Sequence, residues 1–133
     1  MNETSLSLLL ALLLSHTIAD FLLQSDTWAA RKQQHHFRTL SLYWHVGIHM
    51  SLSLAVLLAF GTGVHAALIA TSGIGASHWL IDTLKSYAPA HRVRFFLLDQ
   101  FLHLLILGLV WWWVVDSDIA LLPIELALLW QPR

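Results

Sequence analysis

Residues 64–84 read VHAALIATSGIGASHWLIDTL, a mostly apolar stretch carrying His78 and Asp82 four positions apart. As a helix it is long enough to cross a bilayer, which takes about 20 residues. Positions i and i+4 of a helix point to nearly the same side, so both side chains aim at one place. Ionisable groups are costly inside a membrane and need a physical reason to be there. The same spacing recurs in three other apolar segments, as His16/Asp20, His45/His49 and Asp99/His103. The pattern predicts an all-α polytopic membrane protein: a four-transmembrane-helix bundle with a metal centre, expected to be binuclear, in its core.

Composition agrees. At 133 residues the chain is one domain, 1–133, and 57% apolar against 11% charged residues is too greasy for a soluble fold of this size. A net charge of −1 leaves no broad basic surface, so nucleic acid is not an expected partner; membrane lipids are. Without cysteine there are no disulfides, thiolate ligands or Cys nucleophile. The first apolar stretch is preceded by Glu3 and by no Lys or Arg, and it contains His16 and Asp20. It is therefore expected to be a retained span and not a cleaved leader.

Spans are expected at about 4–24, 41–61, 64–84 and 95–115. Gly61-Thr62-Gly63 forms a tight uncharged connection between the second and third, whereas 25–40 and 85–94 are longer and polar. A fifth apolar piece, 119–130, is too short to cross and is broken by Pro123. It is expected to form a short interfacial helix, where Trp130 is well accommodated. Arg31, Lys32 and Arg38 lie in the first connection, and Lys85, Arg92 and Arg94 in the third. The positive-inside bias makes that side cytoplasmic and turns both termini outward, with Trp111, Trp112 and Trp113 as an outer aromatic belt.

This topology puts the pairs of spans one and three near their ends and those of spans two and four near their beginnings. All eight side chains then share a layer roughly 6–12 Å inside the cytoplasmic boundary, at 1.5 Å per residue. A lone His or Asp in a membrane helix is ordinarily an interhelical hydrogen-bonding group worth on the order of 1 kcal/mol. Four pairs at one depth favour a shared site, with a His/Asp proton relay as a third reading. Five imidazoles and three carboxylates suit zinc above all, or iron or manganese, and not the all-oxygen shell of calcium. The expected ligands are His16, Asp20, His45, His49, His78, Asp82, Asp99 and His103 around two divalent ions, some of them holding ligands in place instead of ligating.

Other polar residues receive plainer readings. His35, His36 and His91 are expected to be solvated in the connections, and His65 to be interfacial at the outer end. Gln24 continues the His16/Asp20 face and holds either a ligand or a helix end. Gln100 points about 100° away from Asp99 and is expected to pack. Gly73, Gly75 and Ser77 keep span three thin for close helix crossing. Lys85, Arg92 and Arg94 are explained as topology determinants without a bound phosphate.

His16-x3-Asp20-Phe-x2-Gln24, His45-x3-His49, Gly75-x-Ser77-His78-x3-Asp82 and Asp99-Gln100-x2-His103 together resemble a family of small bacterial integral-membrane proteins known only as a domain of unknown function. That resemblance implies a bacterial inner-membrane protein and no particular activity. Gly75 to Asp82 is also similar to the Ser-His-x3-Asp stretch of membrane-bound metal-dependent hydrolases, which implies ligand roles for His78 and Asp82 alone.

The expected function is metal-dependent hydrolysis of an amphiphilic ester or phosphoester, a lipid-like substrate, at the cytoplasmic leaflet. Paired ions would activate water and clamp the attacking and leaving oxygens. Asp20, Asp82 or Asp99 is the candidate general base, and Ser77 is not a triad member. The alternatives are a di-iron membrane oxidoreductase and a non-enzymatic metal-binding or transport protein. Soluble di-iron bundles use Glu-x-x-His, absent from these pairs. Transporter sites lie near the midplane in broken helices, whereas these spans carry no internal Pro.

Overall fold

Lacking water to satisfy backbone groups, a chain inside lipid must form its hydrogen bonds within each segment, and the four apolar segments do so as helices. The computed structural model describes residues 3–116. Helix α1 (Glu3–Thr17) runs on through a π-helical turn (Ile18–Leu22); α2 (Asp26–His35) ends in a 3₁₀ turn (His36–Arg38). The chain continues through α3 (Leu40–Ala59), α4 (Val64–Ser86) and α5 (Val93–Asp116). Among the described residues, Glu3–Leu22, Leu40–Ala59, Val64–Ser86 and Val93–Asp116 are long and apolar enough to cross a membrane. The chain is thus an all-α, multi-pass membrane bundle. The interfacial segment expected over 119–130 lies outside the described residues.

Helix α1 packs on α3 and α5, α3 on α4, and α4 on α5, which closes the four long helices into a ring. The interior has two halves. Toward the α3–α4 hairpin it is apolar, built on Leu8, Leu12, Leu57, Ala67, Ala70 and Val114. Toward the other end it is lined by the buried His and Asp residues. Large apolar side chains such as Leu10, Leu14, Ile69, Leu97 and Phe101 point outward, as a lipid-facing surface requires. Lipid tails are as apolar as these side chains, so tight packing and interhelical hydrogen bonds must hold the ring together. Gly75 serves that packing: a Cβ there would run into Sδ and Cγ of Met50 on α3. Trp112 and Trp113 are exposed, whereas Trp111 is half-buried. Its indole N–H donates to the Ser5 carbonyl at 2.6 Å, tying α5 to α1.

The hairpin is a Schellman turn. Thr62 N–H donates to Leu57 O and Gly61 N–H to Leu58 O, both at 3.0 Å, around Gly61 at φ 84°. A side chain in that left-handed conformation costs roughly 1–2 kcal/mol. Gly61→Ala should therefore lower the thermal midpoint in detergent without altering whatever metal content the wild type shows, because the turn lies at the far end from the polar half.

The expected 25–40 connection contains a helix. Ser25 Oγ caps α2 by accepting from Trp28 N–H at 3.1 Å, with Asp26 in the first turn to complement the helix dipole. Helix α2 folds over the polar end of the bundle against α3 and α4. Gln33 Nε2 donates to Ala88 O at 2.9 Å. His36 does not stay solvated as expected: its Nδ1 lies 2.7 Å from Ser86 Oγ and its ring stacks on Tyr87 at 3.8 Å. His36 is held at φ 58°, a strained position for a residue with a Cβ, kept there by its two contacts with the end of α4.

Candidate metal centre

Asp20 is the hub of the polar interior. It sits in the π turn, marked by the Leu23 N–H to Ile18 O bond at 3.0 Å. That extra residue per turn is frequent at functional sites and turns the carboxylate out of regular α-helical phase. Its Oδ1 accepts from His49 Nε2 at 2.8 Å and lies 3.1 Å from His45 Nε2. Its Oδ2 accepts from Gln100 Nε2 at 3.0 Å and lies 3.3 Å from His16 Nε2. One carboxylate thus joins α1, α3 and α5.

Asp82 organises the other half differently. Its Oδ2 accepts from Lys32 Nζ at 2.6 Å, while His78 Nε2 and His45 Nε2 stand 3.5 and 3.7 Å from the same oxygen. His103 Nε2 stands 3.6 Å from Oδ1. The three imidazole separations exceed the range of good N–H···O bonds. His103 Nδ1–H donates to the Asp99 carbonyl at 2.8 Å, which leaves Nε2 as the ring nitrogen that faces Asp82. The Nε2 atoms of both His78 and His103 are buried without a hydrogen-bond partner. His103 Nε2 and Asp82 Oδ1 face each other across 3.6 Å, a gap in which a bound cation can be held. Metal–ligand bonds of 2.0–2.2 Å separate tetrahedral donors by about 3.4 Å, close to the separations found here.

Two groups have the right donors: Asp20, His45, His49 and His78; and His78, Asp82 and His103, with ligand atoms in each within 4.8 Å of one another. These buried groups can hold metal ions. The five rings form one stack-like cluster, with His49–His78 and His78–His103 centroids 3.8 and 4.1 Å apart. All eight residues expected from the sequence therefore gather in one place, but not in equivalent positions. His16 and Asp99 fall outside the two groups. His16 braces Asp20 and lies 3.4 Å from Gln100 Oε1. Asp99 braces His103 through its backbone carbonyl, which accepts from Nδ1 at 2.8 Å, while its Oδ1 stands 3.5 Å from the same nitrogen. Ligand-supporting contacts of this kind set ring orientation and donor strength.

The model for the family described as proteins of unknown function, DUF3307, matches residues 8–128. The chain belongs to the DUF3307 family. No curated protein and no solved structure matches it. The DUF3307 match spans the positions of all eight His and Asp residues of the cluster.

Three residues of this DUF3307 chain belong to the site although sequence reasoning gave them other work. Gln100 does not simply pack: besides Asp20, its Nε2 donates to Asp99 Oδ2 at 3.1 Å. Lys85 is more than a topology signal, since Nζ donates to Asp99 Oδ2 at 3.0 Å. It lies one turn beyond Asp82 on the face of His78, and that spacing was the readable sign. Lys32 had no such sign, because only the folding of α2 over the bundle brings it to Asp82. Gln24 supports the helix end, Nε2 lying 3.5 Å from Asp20 O, and leaves its Oε1 buried without a partner.

Proposed function

We propose that this protein is a membrane-embedded, metal-dependent hydrolase acting on an amphiphilic ester or phosphoester. The observation that carries the reading is the pair of unpartnered nitrogens, His78 Nε2 and His103 Nε2, facing Asp82 at 3.5 and 3.6 Å. Assigning His78 to the second group leaves two sets of three donors, Asp20/His45/His49 and His78/Asp82/His103. Three protein donors with one open position is the arrangement of catalytic zinc, so two divalent ions, zinc first, are the proposed cofactors. Bound there, such ions would lower the pKa of water to near 7 and polarise the scissile bond.

The protein's own groups divide the remaining work. Asp20 and Asp82 would hold the ions. Asp99 belongs to neither set and keeps a buried Oδ1 without a hydrogen bond, so it is the proposed general base. Lys32 and Lys85 steady Asp82 and Asp99 from outside the donor sets. Gln100 fixes Asp20 against Asp99. The membrane is proposed to be the bacterial inner membrane, with the metal end cytoplasmic and both chain termini outside. Reporter fusions in the 25–40 connection test that orientation, and an external position there would reverse it.

A second reading has its own support: the short contacts of Asp20 are hydrogen bonds as they stand and need no ion. Elemental analysis of protein purified without chelator separates the two readings. Two zinc per chain is expected; no bound metal under any loading condition would leave a structural polar network. At saturating zinc, Asp99→Asn should keep its metal and lose turnover of a chromogenic ester and phosphoester panel by about 10²–10⁴-fold, the usual worth of a general base. Full activity in that variant removes Asp99 from the chemistry.

A further inference from the structure

A cavity of about 380 Å³ opens beside the centre, between α2, the α4–α5 connection and the start of α5. Its volume is in the range of small-molecule sites. Lys32, Lys85 and Arg92 line it with Asp82, and Asp99 pairs with Lys85 from behind the wall at 3.0 Å, so three cations face two carboxylates, a net charge of +1 that Arg92 carries unpaired by either of them. Gln24 and Gln33 add neutral amide groups. Arg92 is exposed at the rim.

A second cleft, of about 270 Å³, lies between α4 and α5. It is lined by Ile81, Leu84, Leu98 and Leu102, and Leu84 and Leu98 face outward where lipid would be. The two spaces share Lys85, Ala88 and Phe95 as a common wall. Asp82 borders the cationic cavity and Asp99 borders the apolar cleft. A charged chamber and an apolar channel therefore meet beside the two carboxylates that flank the centre.

We infer that this double cavity binds a phosphate-bearing lipid amphiphile, its phosphate among Lys32, Lys85 and Arg92 and its chain in the α4–α5 cleft. The inference rests on the hydrolase reading and narrows its substrate to phosphorylated lipids. Phosphate is the chemistry that a concave group of two ammoniums and one guanidinium recognises, the guanidinium through paired N–H donors. A bare carboxylate amphiphile would engage only part of that group. A free phosphate would leave the cleft without function.

The test is equilibrium binding by native mass spectrometry of the zinc-loaded full-length protein in detergent. Three probes are compared: a non-hydrolysable diether phosphatidate, the matching dialkylglycerol, and inorganic phosphate. Phosphatidate should bind at least about tenfold tighter than either other probe, the worth of one charge-assisted hydrogen bond. Arg92→Gln should weaken phosphatidate by a similar factor, leaving dialkylglycerol binding and metal content as they were. Lys85→Gln is the companion variant. Equal affinity for phosphatidate and dialkylglycerol would overturn the inference, as would equal affinity for inorganic phosphate, which would assign the cavity to the free ion. Insensitivity of phosphatidate binding to both substitutions would do the same. No turnover is read, so a protein that binds phosphatidate but holds no metal would sink the hydrolase reading and leave the lipid site standing.

Discussion

Asp20→Asn is expected to empty the first half of the centre while leaving the bundle folded. Asparagine has the size of aspartate and keeps one oxygen, but it has no charge, and its amide nitrogen would face ring N–H groups now held at 2.8 and 3.1 Å by Oδ1, or the Gln100 amide by Oδ2. Losing a support that merely orients a ligand costs 10–100-fold in metal affinity, so a direct donor should cost at least about 100-fold. On the proposed two-ion reading, elemental analysis should report one ion per chain against the two expected of the wild type, and the proposed hydrolysis should fall to background. The thermal midpoint in detergent checks that the fold survives. Two ions per chain in this variant would show that Asp20 is a hydrogen-bonding hub and nothing more.

Asp82→Ala is expected to be the most destabilising single change at the site. It strands the Lys32 ammonium, 13% exposed, that now lies 2.6 Å from Oδ2. Removing one partner of a buried ion pair costs roughly 3–5 kcal/mol, because the remaining charge is left uncompensated. The double variant Asp82→Ala/Lys32→Met should recover most of that stability, since replacing both charges with apolar groups is often nearly neutral. Metal binding at the second half should be absent in both variants. Stability and metal retention are thereby separated: unfolding in detergent follows the ion pair, and elemental analysis follows the carboxylate. If the double variant were no more stable than Asp82→Ala, the Lys32–Asp82 contact would carry no energy of its own.

The four spans were readable because each is an unbroken apolar run near bilayer length, and a helix is the only way such a run can satisfy its own backbone. Their ends differ from expectation by a few residues: the first span ends at Leu22, two positions before the expected limit of 24. Apolar content alone does not mark a helix end; the π turn and the Ser25 cap do. The eight-residue cluster was readable for a related reason. A four-residue spacing puts paired side chains on one face, and the alternation of span directions puts the pairs at one depth.

Gln100 shows where that reasoning stops. Its angle from Asp99 around α5 is as expected, yet α1 lies on that side and delivers Asp20 to it at 3.0 Å. His36 was misread, and the contact of Lys32 went unseen, because a polar connection looks solvated until it folds back, and α2 folds back over the bundle. The division of the eight into six candidate donors and two others likewise depends on the distances between side chains of different helices, which bring ligand atoms of only six within 4.8 Å of their group.

Order along the chain therefore determined which helices exist, which face of each carries imidazole and carboxylate, and the depth those faces share. Helical periodicity acts through neighbours a few residues apart and needs no partner to operate. Only the tertiary structure decided that α2 closes over the polar end, that lysines reach Asp82 and Asp99, and that an amide joins Asp20 to Asp99. Those contacts depend on the rotation of each helix about its own axis and on its distance from the next, and both are set by packing between segments far apart in sequence.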